Sequence, residues 1–409
     1  MGLITSSITE KALEAVDINK LYQHLLYLEG VKHALDSYNE LILAGEYIEN
    51  SLQQYNITTN RHYFNVEGID KKFFNVEGLL LDKIESSKPT LLITNHYDTV
   101  YSTPGADDNA SGVAVMLEVA RILGELNFKK NIIFTSFNLE EFSPSLQGPI
   151  REFGTKFGVF DEHYRYTSWP LKNYADKFKK RIIASGPANP YLDKDEWNNF
   201  EAEARLELSE NELNFFKEQN RIFRESALED PFGRSFLIGS DAYAKYVREK
   251  NMNVMGVINL ESVGFATDEP YSQRFPKGIS LDMFKTYKID HNQMIGNYIT
   301  IIGDENSPAL TNAFFNSSQY DSIKLPCACL DIPLDYEGIK QTMPDLLRSD
   351  HAPFWRLGIP AIMVTDTATF RNPYYHTGGD TINTLNFPFM KKICQATLLT
   401  IINVLRGSR

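Results

Sequence analysis

Two rhythms of apolar and polar positions run along this chain. Short apolar runs, partly β-branched and bounded by turn residues, occupy 90–94, 131–137, 254–260, 298–302 and 361–365, and each predicts a buried strand. Elsewhere the apolar spacing becomes three and four. Leu21, Leu25 and Leu28, then Ala44, Tyr47 and Leu52, mark early helices. The clearest helix is predicted over 109–126, with Val113, Met116, Leu117, Ala120 and Leu123 on one face, and a last one over 389–404. Strands alternating with helices predict an α/β fold, a three-layer α/β/α sandwich around a mostly parallel mixed sheet.

One stretch departs from this rhythm. Residues 143–236 are aromatic, charged and poor in strand pattern. Ser209 followed three residues later by Glu212 forms a capping box there. A structureless loop of that length does not suit a compact domain, so an insertion with its own helices is expected. The predicted organisation is a main domain, 1–142 with 237–409, and an inserted subdomain, 143–236.

Composition narrows the class only slightly. The chain has 409 residues, 43% hydrophobic and 23% charged, which is ordinary for a globular protein with a large core. A net charge of -12 without a long basic run argues against a nucleic-acid partner. No apolar run approaches the ~18–20 residues that cross a membrane, so no membrane partner is expected. The N-terminus lacks a basic region followed by an apolar stretch, and a cytoplasmic location is expected. Cys327, Cys329 and Cys394 are too few for a disulfide framework. Cys327 and Cys329, one residue apart in an apolar run, predict core thiols on one face of a strand.

Chemistry enters at the strand ends. The run 90–94 leads into Asn95-His96-Tyr97-Asp98, and 131–137 into Asn138-Leu139-Glu140-Glu141. The run 254–260 is followed by Glu261, and 361–365 opens a loop that reaches His376. Ligands of open α/β sheets bind beyond the carboxyl ends of the strands, so these residues should share one rim. Asp107-Asp108 precedes the helix predicted at 109. Two imidazoles with several carboxylates suit a hydrolytic zinc site better than one for magnesium or calcium. Two close divalent ions need a bridging carboxylate, and one further carboxylate must move a proton. Each residue alone also has an ordinary explanation, such as a helix cap at Asp107-Asp108 or a solvated turn at Glu140-Glu141. Gly378-Gly379-Asp380 lacks the flanks of a phosphate loop and reads as a turn.

In order, His96-Tyr97-Asp98, the run from Pro104 to Gly112, Glu140-Glu141, Asn259-Leu260-Glu261, the run from Ser349 to Phe354 and the run from Asn372 to Thr377 resemble the co-catalytic zinc aminopeptidases. That superfamily also holds glutamate carboxypeptidases and glutaminyl cyclases. The similarity covers about 20–142 and 237–405. It implies two zinc ions per chain, with other divalent transition metals able to take the same ligands. His96 and Glu261 would hold one ion, Glu141 and His376 the other, and Asp107 would bridge them, with a cis bond to Asp108. Glu140 would be general base and then general acid. Asp98, Asp108 and Asp350 would support the ligands, and Tyr375 would line the substrate pocket. Many relatives have Asp where this chain has Glu261.

The resemblance implies an exopeptidase, foremost an aminopeptidase, acting on peptides or small amides through a hydroxide shared by the metals. The insertion starts directly after the glutamate pair and suggests a lid, a specificity wall or a contact between copies. Three rivals stand beside this reading. The first is a carboxypeptidase, dipeptidase or small-amide deacylase, which an arginine facing the pocket would support, with Arg151, Arg234 and Arg371 as candidates. The second is a one-metal glutaminyl cyclase, and the third a non-catalytic binding protein. His351 suits a helix start or packing, and His163 and His291 are read as structural.

Overall fold

The computed structural model describes residues 2–81, 88–161, 166–185, 191–229, 236–276, 278–284 and 286–407. Its strands are β1 (Thr58–Val66), β2 (Ile69–Leu79), β3 (Thr90–His96), β4 (Ile132–Phe137), β5 (Val254–Glu261), β6 (Ile299–Gly303), β7 (Cys327–Asp331) and β8 (Ala361–Thr365). They form one sheet in the order β1-β2-β4-β3-β5-β8-β6-β7. The central strands β4, β3, β5 and β8 are parallel. β6 opposes β8, β7 runs parallel to β6, and the β1–β2 hairpin joins β4 antiparallel.

Every residue of β3, β4 and β8 is buried, as parallel strands covered on both faces require. β2 reveals both coverings. Glu77 accepts a hydrogen bond from Tyr243 of the helix Ile238–Glu249. A Cβ on the next residue, Gly78, would stand 2.9 Å from Leu52 of the helix Tyr38–Gln54. Neighbouring strand residues point to opposite faces, so helices lie on both sides of the sheet.

The predicted strands appear with their ends moved by at most two residues. The hairpin β1–β2 was not foreseen. Cys327 and Cys329 lie on β7 with their sulfurs 3.9 Å apart, both buried. The helix expected from 109 is regular only over Gly112–Glu125. A wider turn, Ala106–Ser111, precedes it, with Asp108 and Asn109 outside helical geometry. This helix is buried on nearly every side rather than on one face. Its Glu118 is buried too, and accepts from Arg121 and from the Asp17 N–H.

The chain divides into two compact units, 1–141 with 237–409, and 142–236. The second unit contains the helices Pro144–Lys156, Trp169–Ser185, Lys194–Ala204 and Glu210–Glu229. Tyr174, Phe178, Phe200, Phe215 and Phe216 form its core. Its capping box closes in both directions: Glu212 Oε2 accepts the Ser209 N–H at 2.6 Å, and Ser209 Oγ accepts the Glu212 N–H at 3.4 Å. Trp197 packs on Phe200, whereas Trp169 is 74% exposed. In the first unit, Leu237 and Ile238 donate to the carbonyls of Glu140 and Leu139, so the chain returns beside the point it left. Among the described residues no helix is long and apolar enough to cross a membrane. His163 and Arg234 lie outside the described residues.

Candidate metal centre

Strand register brings the site together. His96 pairs with Phe137, and Glu261 with Thr365, so β3, β4, β5 and β8 end level. His96 and Glu261 are the last residues of their strands, and Glu140 and Glu141 follow closely after β4. His376 arrives on the loop after β8. Leu139 (φ 60°), Ser262 (φ 49°) and His376 (φ 56°) adopt left-handed backbone at or beside these side chains. Such conformations cost free energy and gather where side chains must be aimed.

The turn after β3 supplies the carboxylate between the histidines. Gly105 (φ +65°) permits the turn: a Cβ there would sit 2.4 Å from Thr99 and 2.5 Å from the Asp108 carbonyl oxygen. Asp108 Oδ1 lies 3.3 Å from His96 Nε2, and its Oδ2 lies 3.0 Å from His376 Nε2. Glu261 Oε2 is 3.4 Å from His96 Nε2, and Glu141 Oε1 is 2.7 Å from His376 Nε2. Glu140 Oε2 reaches within 4.0 Å of His96 Nε2.

This geometry corrects the expectation for Asp107. Its Oδ1 accepts the Gly264 N–H at 2.8 Å and its Oδ2 accepts from Asn372 at 2.7 Å, so its carboxylate is spent away from the histidines. Asp108, expected to support, lies between the two histidines instead. The cis bond likewise falls one residue later, at Asp108-Asn109. The physical reason is the non-helical backbone at Asp108 and Asn109, which turns the second carboxylate, not the first, toward the rim. Asn109 ties this turn to β5, donating to the Leu260 carbonyl at 2.9 Å and accepting the Ser262 N–H at 3.1 Å.

Asp98 does more than orient His96. Its carboxylate accepts the N–H groups of Glu140 and Glu141, each at 3.0 Å. His96 Nδ1 lies 3.2 Å from the Asp98 backbone oxygen and 3.5 Å from its carboxylate. Asp350 also departs from its expected supporting role: neither of its buried oxygens has a hydrogen-bond partner, and burial pushes its carboxyl up to about 7. Ser349 supports Glu261 instead, donating to its Oε2 at 2.7 Å while accepting from Asn259 at 2.8 Å. Asp380 went unrecognised in the sequence. It accepts the N–H groups of Asp107 and Asp108 at 2.9 and 3.2 Å, and nothing in its local pattern marks that task.

The charges call for a cation. Burial, with the neighbouring Glu141 charge, pushes the Glu140 carboxyl well above its ordinary range. Burial also raises Glu141, to about 7, against the opposing pull of His376. For His96, burial alone would favour the neutral ring, yet Glu261, Glu140 and Asp108 outweigh it and hold the ring far above its ordinary value. Burial opposes ionisation of Asp108, but the two histidines prevail and hold its carboxyl low. His96 Nε2 and Asp108 Oδ1 are buried with no hydrogen-bond partner in the protein. Ligand atoms of His96, Asp108 and Glu141 lie within 4.8 Å of one another, as do those of His96, Glu140 and Glu261. Buried acceptors aimed at one another are costly unless a cation lies between them, so this nitrogen and oxygen set fits zinc.

Tyr375 stacks on His376, ring centroids 3.8 Å apart, and borders a cavity of about 80 Å³ with Glu261. His351 is buried, its Nε2 2.8 Å from the Leu346 carbonyl oxygen, and it packs against Trp355 just before a short helix.

The model of peptidase family M28 matches residues 79–154 and 332–401, two segments that hold Asp108, Glu141 and His376. Over these two segments the chain is similar to the M28 peptidases. It is accordingly a hydrolase of the metallopeptidase type. The uncharacterised protein YfbL of Escherichia coli is 25% identical over 338 residues, 80% of this chain and 71% of that one. Aminopeptidase YwaD of Bacillus subtilis is 42% identical over 67 residues, 16% of this chain and 15% of that one. Among solved structures, the Legionella pneumophila LapA aminopeptidase has a TM-score of 0.56 at 14% identity, covering 99% of this chain and 75% of that one. The Bacteroides thetaiotaomicron glutaminyl cyclase has a TM-score of 0.55 at 14% identity, covering 95% and 98%. Likeness at such identities speaks for the fold alone.

Proposed function

We propose that this protein is a zinc-dependent exopeptidase, foremost an aminopeptidase of peptides or amino-acid amides. The observation that carries the reading is Asp108, one carboxylate with an oxygen toward each of two histidines. In this reading His96 and Glu261 hold one zinc, Glu141 and His376 hold the other, and Asp108 serves both. Bound there, the pair would supply Lewis acidity toward the scissile carbonyl and make an attacking water acidic near neutral pH.

The chain's own groups do the rest. Glu140 takes the proton of the attacking water at a carboxylate oxygen and delivers it to the leaving nitrogen. Asp98 locks the backbone of Glu140 against that of Glu141, so proton carrier and ligand keep their spacing. Ser349 and Asn109 hold Glu261, and Asp380 holds the backbone of Asp108. The candidate ligands all belong to the first unit, so the inserted unit is assigned to substrate range or self-association.

A one-metal cyclase is the rival reading. A second histidine set against a shared aspartate argues the other way, because one ion needs fewer ligands. The test is elemental analysis beside a screen of aminoacyl and N-acyl chromogenic amides. About two zinc ions per chain and chelator-sensitive aminoacyl cleavage are expected. Asp108→Ala should lose zinc, whereas Asp107→Ala should keep it. One zinc or none, with no amide cleaved, would sink the proposal.

A further inference from the structure

We propose that Arg348 reads a carboxylate on the substrate, so that the cavity beside Glu261 receives a residue bearing that group. The inference rests on the exopeptidase reading above and adds the substrate class. Arg371 does not carry it. Arg371 is consumed by the fold: its Nε donates to Gln273 at 2.8 Å, its Nη1 to the Tyr298 carbonyl at 2.6 Å, and its guanidinium lies over the Tyr298 ring.

Arg348 differs in three respects. Its place is fixed, because the next residue, Ser349, is bonded on one side to Glu261 and on the other to Asn259. Its guanidinium is unspent: among the described residues it makes no hydrogen bond and no ion pair within 4.0 Å, although it is exposed to the cavity it lines. Its surroundings are those of a recognition site. The cavity walls are largely apolar, with Phe275, Phe284, Ile302, Leu330 and Met363, while Glu261 and Tyr375 close the side toward the candidate ligands. The Arg348 charge is felt by Tyr375, Asp345, Glu141 and Glu140, which places it at the reacting end.

A guanidinium presents parallel N–H donors in a plane that matches a carboxylate. Apolar walls beside it would accept the carbon skeleton of the same residue. A free ammonium group would avoid this end and meet the carboxylates around the metals. The carboxylate could be the C-terminus of a short peptide or an acidic side chain at the cleaved position; both present the same group.

The test uses the zinc-loaded full chain and two matched pairs. One pair is leucyl-leucine and leucyl-leucinamide; the other is glutamyl and glutaminyl p-nitroanilide. In one pair the acid should exceed its neutral partner in kcat/KM by about 10–100-fold, mostly through KM. Preference in the dipeptide pair assigns the carboxylate to the C-terminus, and preference in the anilide pair to the side chain. Arg348→Gln should bring that ratio close to one, and Arg348→Lys should recover part of it. Calorimetric binding of the same four compounds to Glu140→Gln protein reads recognition without turnover. If no amide is cleaved, the exopeptidase reading fails, while the binding ratio still decides this inference. Equal binding and cleavage of acid and neutral partners would overturn it. So would an Arg348→Gln variant that loses kcat alike for both, since Arg348 would then act on the reacting carbonyl.

Discussion

The first unit, with its mixed sheet, and the inserted unit handle charge in opposite ways. In the first, Asp98, Asp107, Asp108, Glu140, Glu141, Glu261 and Asp380 are all buried, together with His96 and His24. Each costs desolvation that only partners or a bound cation can offset. In the inserted unit, 142–236, the core is aromatic, and ion pairs such as Arg205 with Glu201 and Glu210, and Arg221 with Glu218 and Glu225, lie at the surface. Exposed pairs contribute little, so packing has to hold that unit. The contrast separates stability kept for chemistry from stability kept for shape.

The largest effect should come from the first unit and leave its fold intact. Glu140→Gln keeps the size of the side chain and removes its capacity to carry a proton. Turnover should fall on the order of 10²–10⁴-fold. Zinc content measured on the same sample should stay near that of the parent. A variant that binds less zinc would show Glu140 to be a ligand and would redistribute the roles of the pair.

Truncation in the inserted unit should do the reverse. Phe200 is fully buried and packs at 5.2 Å from Phe178 and 5.4 Å from Phe216, ring centre to ring centre. Phe200→Ala should cost about 3–5 kcal/mol of that unit's stability. Hydrogen exchange should locate the loss in Trp169–Ser185, Lys194–Ala204 and Glu210–Glu229, with zinc stoichiometry retained. Equal loss of protection in the central strands would mean that the units unfold together.

The same contrast explains what could be read without coordinates. β3, β4, β5 and β8 were legible because full burial on both faces leaves uninterrupted apolar runs, and those runs led to His96, Glu140, Glu141 and Glu261. β1 escaped because neither of its faces is fully covered: Thr58 and Asn60 are exposed on one and Tyr63 and Asn65 on the other, so no such run forms. The rim was legible to within one residue. Asp107 stood for Asp108 because adjacent side chains point apart and only backbone angles decide which of them faces the histidines. Asp380 was missed for another reason. It acts through contacts distant in sequence and lies in no periodic or ligand-like pattern.

A buried histidine away from the centre offers the smallest but sharpest test of the contrast. His24 sits between two tyrosine hydroxyls, Tyr47 Oη at 2.9 Å from Nδ1 and Tyr55 Oη at 3.2 Å from Nε2. Burial lowers its pKa from 6.5 to about 4, and Lys20 and Arg121 push the same way. The folded value lies below the unfolded one, so above pH 6.5 both states are neutral and His24 contributes nothing to the pH dependence. As pH falls from 6.5 toward 4, the unfolded chain binds a proton that the folded chain refuses. Stability of the first unit should therefore decline by up to about 3 kcal/mol across that window. Denaturant unfolding at several pH values should show the slope, and His24→Gln should flatten it. A slope that survives the substitution would place the acid sensitivity elsewhere among the buried groups of the first unit. A slope of the same size for protection in the inserted unit would break the contrast itself, since its core holds no buried histidine among the described residues.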